Sequence, residues 1–240
     1  MTDPPTRAEQ IERSLALRIL RGDLPPGSTL PSVRSLAEQF DTTVPTIQRA
    51  VDRLGSTGLV SARRGSGIRV NDPRHYGDLS LLPLWFEALV AHPQRAAAMF
   101  ADFLELRRMV AAHLVRTRYD RIVAALPQLL TAAATLHRVS TLEERARADA
   151  QLTRVVVEAA DNFAINAVFR TVERLALEVP AAAEALYGDP ESHNETIGAV
   201  ADAIANTIGD PMAAADALDG ALARWDRRTV QRFTHRLQRY

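Results

Sequence analysis

Between Leu30 and Val70 the apolar positions change period twice. Val33, Leu36, Ala37 and Phe40 recur at helical spacing behind Pro31-Ser32, a pair suited to a helix start. Asp41-Thr42-Thr43 interrupts that pattern with residues that favour caps and turns. Pro45 then falls in the first turn of a second helix, where its missing N–H costs nothing. Ile47, Val51 and Leu54 form the inward stripe of that helix, which leaves Thr43, Val44, Thr46, Gln48 and Arg49 near its exposed N-terminal end. Gly55-Ser-Thr-Gly58 ends it. Leu59–Ala62 and Ile68–Val70 then alternate as short strands around Arg63-Arg64-Gly65-Ser66-Gly67. The pattern predicts two short helices followed by a β-hairpin with a basic tip.

Past the hairpin the pattern becomes helical throughout. Asn71–Asp78 is rich in Pro, Gly and polar residues and reads as a linker. Leu84, Trp85, Phe86 and Leu89, and then Phe100, Phe103, Leu104, Leu106, Val110 and Leu114, follow helical spacing. Further helices are expected near 120–138, with a kink at Pro127, and over 141–160, 163–179, 191–207 and 211–237. The expected fold is mainly α. It comprises an N-terminal winged helix-turn-helix over 1–72 with a small β-hairpin, a linker over 73–78, and a C-terminal all-α bundle over 79–240.

Composition narrows the function. The chain has 240 residues, 47% of them hydrophobic, and lacks an apolar run near the roughly 18 residues a membrane helix needs. The opening MTDPPTRAEQ has no apolar core behind a basic start, so no secretory signal is expected and the expected location is the bacterial cytoplasm. There is no Cys, which excludes disulfides and cysteine metal sites. The net charge of zero hides an asymmetry: residues 1–75 hold 11 Arg against 8 acidic residues, and the remainder holds 18 against 21. The excess positive charge therefore sits on the helix-helix-hairpin block. No H-E-x-x-H or strand-following G-x-G-x-x-G occurs, and Gly65-Ser66-Gly67 is a hairpin tip rather than a nucleophile elbow. The six His are scattered over separate elements, with His113 expected in the core, so no catalytic set is expected.

A helix that presents its N-terminal side chains, followed by a basic hairpin, suits B-DNA. The helix fits the major groove and the wing lies along the backbone or minor groove. Phosphates near the helix N-terminus meet N–H groups and the Thr43 hydroxyl. The block also resembles the winged domain of GntR-type bacterial transcription regulators. The resemblance rests on Ile19, Gly22, Leu24, Pro26, Gly27, Leu30, Pro31, Ser32, Arg34, Leu36 and Ala37, then Arg63, Gly65, Gly67 and Val70. It implies DNA contacts at Arg34, Thr43, Val44, Thr46, Gln48, Arg49, Arg64 and Gly65, with Arg63 beside them in the basic tip. Well-known members often carry Arg at the start of the recognition helix. Val44 and Pro45 stand there in this chain, and a Val packs on a thymine methyl but does not read guanine.

The bundle resembles the effector domain of the FadR branch of that family through Phe103–Arg108, Asp149, Leu152, Thr153, Ala160–Asn162 and Gly209-Asp210. The resemblance implies a homodimer on a palindromic duplex operator and a small-molecule effector within the bundle. Many members hold a divalent metal through an Asp and three His. Here Thr153 stands where the first His is expected, and the later positions fall near Asn194 and Ala221 with His193 adjacent, so no metal or other cofactor is expected. Asp149 is then expected as a solvated or hydrogen-bonded helix residue. Members without the metal include fatty-acyl-CoA-responsive regulators. Their chemistry implies apolar walls, sought here at Leu79–Phe86 and Phe103–Met109, and a cationic mouth at Arg107 and Arg108. Asp149, Thr153 and Trp225 complete the candidate effector set. The alternatives are a metal-dependent sensor of small carboxylates and an architectural DNA-binding protein, which needs no pocket.

Overall fold

The computed structural model describes residues 4–63 and 67–238, and these divide into two compact units, Met1–Ala91 and His92–Tyr240. In the first, α1 (Arg7–Arg21) opens on a capping box in which Thr6 and Glu9 satisfy each other's backbone N–H. It closes on Gly22 at φ 90°, a left-handed conformation suited to glycine. Helix α2 (Val33–Gln39) is a turn shorter than the pattern suggests, because Ser32 is its N-cap and accepts from the Ser35 N–H. Helix α3 (Val44–Ser56) starts at Thr43 with Pro45 in its first turn. Ile11, Leu15, Leu36, Ile47, Leu54 and Leu59 fill the core between these helices. Arg53 on α3 pairs with Glu9 and Glu12 on α1, tying the two helices at the surface.

Strands β1 (Val60–Arg63) and β2 (Gly67–Val70) pair antiparallel with Val60 opposite Val70 and Arg63 opposite Gly67. Leu30 N–H donates to the Ile68 carbonyl and Val70 N–H to the Ser28 carbonyl, so the segment after α1 forms a single antiparallel bridge, Thr29 opposite Arg69, at the edge of the two-stranded sheet. The tip residues Arg64 and Gly65, expected to contact DNA, lie outside the described residues.

The expected linker at 73–78 is instead packed structure. Asp72 caps α4 (Pro73–Tyr76), and the Asn71 amide donates to the Gly58 carbonyl. A 3-10 turn (Leu79–Leu81) and α5 (Leu82–Ala88) follow. Leu81 and Ala88 are buried in the N-terminal core, with Leu84 and Trp85 against it, and Arg13 pairs with Glu87. The division therefore falls after Ala91, some dozen residues later than composition suggested, because the polar stretch is a capped helix and the apolar run behind it completes the first core.

The second unit is all helical: α6 (Pro93–Ala124), α7 (Leu126–Leu136), α8 (Leu142–Ala160), α9 (Phe163–Leu177), α10 (Pro180–Tyr187), α11 (Pro190–Ala205) and α12 (Pro211–Leu237). The long α12 lies along α6, with α11 beside it. Leu114, Ile122, Leu129, Val157 and Leu218 centre the core. The helix expected over 120–138 is two helices that meet at Ala125. Pro127 begins the second, and the distortion falls earlier, at Arg118 in α6.

Candidate nucleic-acid interface and effector cavity

On α3 buried and exposed positions alternate by helical face. Ile47, Ala50, Val51 and Leu54 are buried, and Thr43, Val44, Gln48 and Arg49 are exposed, with Thr46 between the two classes. Val44 is 45% exposed, too much for a core residue and suited to a methyl contact in a groove. The Thr43 and Thr46 hydroxyls are 2.9 Å apart, and Thr43 makes no side-chain cap bond to its own helix. The Gln48 amide donates to Asp52 at 2.9 Å, which fixes its direction while leaving the carbonyl end to act as acceptor. Arg34 and Arg49 are exposed and form no hydrogen bond or ion pair among the described residues. Arg69 on β2 is exposed in the same way, a basic residue that strand alternation alone did not nominate. One exposed helix end and one basic strand pair thus come from a single small core. This is an arrangement for reading duplex DNA, with cations for phosphates and polar side chains for base edges.

The second unit holds a partly open cavity of about 170 Å³ between α6, α7, α8, α9, α11 and α12. Leu114, Leu129, Val157, Phe169, Leu218 and Leu222 are among its walls. Four of the five effector candidates line it: Arg107, Asp149, Thr153 and Trp225. Arg108 does not, because its guanidinium is taken by Asp219 at 3.0 Å and approaches Asp226 at 3.6 Å. The cationic mouth expected from Arg107 and Arg108 together is therefore reduced to Arg107. The walls also differ from expectation: Leu81 belongs to the first unit's core, and of Phe103–Met109 only Arg107 reaches the cavity.

Trp225 organises the polar end. The Arg107 guanidinium lies 4.8 Å from the indole centroid, and the His193 ring stacks on the indole at 5.6 Å with planes 25° apart. Arg107 Nη2 also donates to Asp226 Oδ1 at 2.6 Å. Burial pushes the Asp226 carboxyl up, against the opposing charges of Arg107 and Arg108. Asp149 moves the other way. Burial raises it, but the hydrogen bond from His193, the charge that ring carries when protonated, the Arg107 charge and the Tyr187 hydroxyl together hold it below the usual carboxylate range. His193 Nε2 is 3.2 Å from Asp149 Oδ1, and Tyr187 donates to Oδ2 at 3.1 Å. Asp149 is thus a hydrogen-bonded residue, as expected, and the sequence missed its partners. His193 stands beside the family position at Asn194, one helical turn after the Asp189 cap, and nothing in the local sequence marks Tyr187.

These residues do not fit the metal set known from the family. Thr153 and Ala221 supply no imidazole, Asn194 accepts from the buried Arg145, and Asp149 is committed to His193 and Tyr187. Among the described residues no three His, Asp or Glu side chains converge. His113, expected in the core, is exposed on α6.

A DNA-reading winged helix-turn-helix joined to a helical domain defines a transcription regulator. Residues 7–70 match the sequence model of the bacterial regulatory proteins of the gntR family. An uncharacterised HTH-type transcriptional regulator of Mycobacterium tuberculosis is 30% identical over 237 residues, 97% of this chain and 95% of that protein. The HTH-type transcriptional regulator Mce2R of M. tuberculosis is 40% identical over 75 residues, 31% of each chain. The Listeria monocytogenes protein Lar, described as controlling expression of the agr system, shares the fold: TM-score 0.56 at 16% identity over 96% of this chain and 99% of that one. The chain belongs to the GntR family of DNA-binding transcription regulators and is not an enzyme.

Proposed function

We propose that this regulator is a homodimer of the FadR type whose bundle senses a small molecule and thereby changes its affinity for a palindromic operator. The observation that carries the reading is the apolar cavity with one polar end, lined by Arg107, Asp149, Thr153 and Trp225. An architectural protein has no use for such a void, because natural interiors are close-packed and an unfilled cavity forfeits dispersion contacts. The DNA-facing set is Arg34, Thr43, Val44, Thr46, Gln48 and Arg49, joined by the wing residues Arg63, Arg64 and Gly65.

The apolar walls support an acyl tail as part of the effector. The long-chain acyl-CoA suggested by resemblance finds less support. A cavity of about 170 Å³ is close to the roughly 150 Å³ that encloses a benzene, so the part of a ligand held inside it is about six to eight carbon atoms.

The test is selection of operators from random duplex DNA with the full chain, followed by native mass spectrometry of the protein as purified. Palindromic operators, a dimer mass, and a retained small molecule whose addition shifts operator affinity are the expected result. A monomer on asymmetric sites, or operator affinity indifferent to every small molecule it retains, overturns the sensor reading.

A further inference from the structure

Building on the reading of the bundle as a sensor, we propose that its cavity takes a small uncharged amphiphile. Its apolar tail has about six to eight carbons, and its head presents a carbonyl oxygen next to an N–H or O–H, held by Arg107, Trp225 and His193.

The first support is an accumulation of unsatisfied polar atoms at one end of an otherwise apolar void. Arg107 Nε, Trp225 Nε1 and His193 Nδ1 are buried without a hydrogen-bond partner, and all three side chains line the cavity. Trp225 is 3% exposed and His193 1%, so bulk water does not satisfy them. Native proteins leave few such atoms, and three gathered around one indole call for a ligand that meets them.

The second support is charge. Arg107 already has a carboxylate at 2.6 Å in Asp226, and Asp149 lines the same cavity as a second anion. Arg108 also approaches Asp226, but it is shared with Asp219 and does not line the cavity. A ligand carboxylate therefore adds a third negative charge beside Asp226 and Asp149, with Arg107 as the one cavity-lining guanidinium among the described residues, which is repulsive. A neutral head carries no such cost.

The third support is the tautomer of His193. An ionised Asp149 only accepts, so the bond at 3.2 Å places the proton on Nε2. With this ring neutral, as the proposed head requires, Nδ1 is a lone pair that seeks a donor, while the Arg107 and Trp225 N–H groups seek an acceptor. An amide, an undissociated carboxylic acid or a hydroxyketone offers both within one functional group. A simple carboxylate offers acceptors alone. The apolar walls and the volume of about 170 Å³ set the tail.

The experiment is calorimetric titration of the full chain with octanamide, octanoate at pH 8 and octanoyl-CoA, alongside hexanamide and dodecanamide. Octanamide should bind at least tenfold more tightly than octanoate. Affinity should rise about fourfold per added methylene up to roughly eight carbons and then level off. Trp225→Phe keeps an aromatic ring, smaller than the indole, removes the N–H, and should weaken octanamide about tenfold. Leu222→Trp, which fills the void, should abolish binding with the thermal transition retained. Octanoate or octanoyl-CoA binding more tightly than octanamide overturns the neutral head. No binding by any probe overturns the inference as a whole. If operator affinity still responds to a molecule retained from cells, the sensor reading stands while this inference falls; if it responds to none, both fall.

Discussion

At the residue scale, the side chains of the reader separate by what they can tell about a sequence. Arg34 is exposed, and among the described residues it has no partner, which leaves its guanidinium available for the phosphate contact proposed for it. Arg34→Ala should weaken operator and non-operator DNA alike and lower the slope of log affinity against log salt by about one. Anisotropy titrations over a salt series read this out, and a slope equal to the parent's contradicts the assignment. Gln48, held by Asp52 at 2.9 Å, belongs to the other class. Gln48→Ala should change affinity by about 1–3 kcal/mol for some operators and little for others. A uniform loss across a panel of single-base operator variants argues against base readout.

At the scale of elements, the N-terminal unit depends on one close approach. Gly58 follows α3 at φ 79°, and a Cβ there falls 1.9 Å from the Tyr76 carbonyl oxygen of α4. Backbone cannot yield as a side-chain tip does, so Gly58→Ala has both a strained φ and a clash. We expect a loss of several kcal/mol, seen as a fall in the thermal midpoint well beyond the few degrees of an ordinary surface change. An unchanged midpoint shows that α4 does not dock there. Tertiary closeness of this kind was not legible in the sequence, where Gly55-Ser-Thr-Gly58 marked only a helix end. The strongly periodic elements were legible: α3, the hairpin and α12 fall where spacing and punctuation put them, because an amphipathic stripe and a proline in the first turn are local signals. Helix α10 was not, since it falls between the ranges expected over 163–179 and 191–207 and its Ala-rich sequence carries almost no amphipathic signal. The bundle cavity was half legible. Arg107, Asp149, Thr153 and Trp225 were found by resemblance. His193 and Tyr187 enter only through side-chain contacts between helices far apart in sequence, and Arg108 left because two aspartates, Asp219 and Asp226, engage it.

At the scale of the whole molecule, the chain forms two units, each with its own core. Leu81 and Ala88 belong to the first core, so where the chain is cut decides whether that unit survives. A fragment ending at Ala91 should unfold cooperatively and bind the operator with a weak, effector-independent affinity. One ending at Asp78, the end of the linker expected from composition, loses both of those buried residues and should be less stable by about 2–5 kcal/mol. Denaturant titration of the two fragments compares them directly, and equal stability places the boundary at the earlier position. The interleaving on α3 has an evolutionary meaning. Val44, Gln48 and Arg49 face solvent, with Thr46 beside them, while Ile47, Ala50, Val51 and Leu54 hold the fold. Substitutions at those outward positions therefore cost the core little, so the face of α3 can change while the fold is kept. Paralogues of this chain should differ most at those outward positions and at the polar end of the cavity.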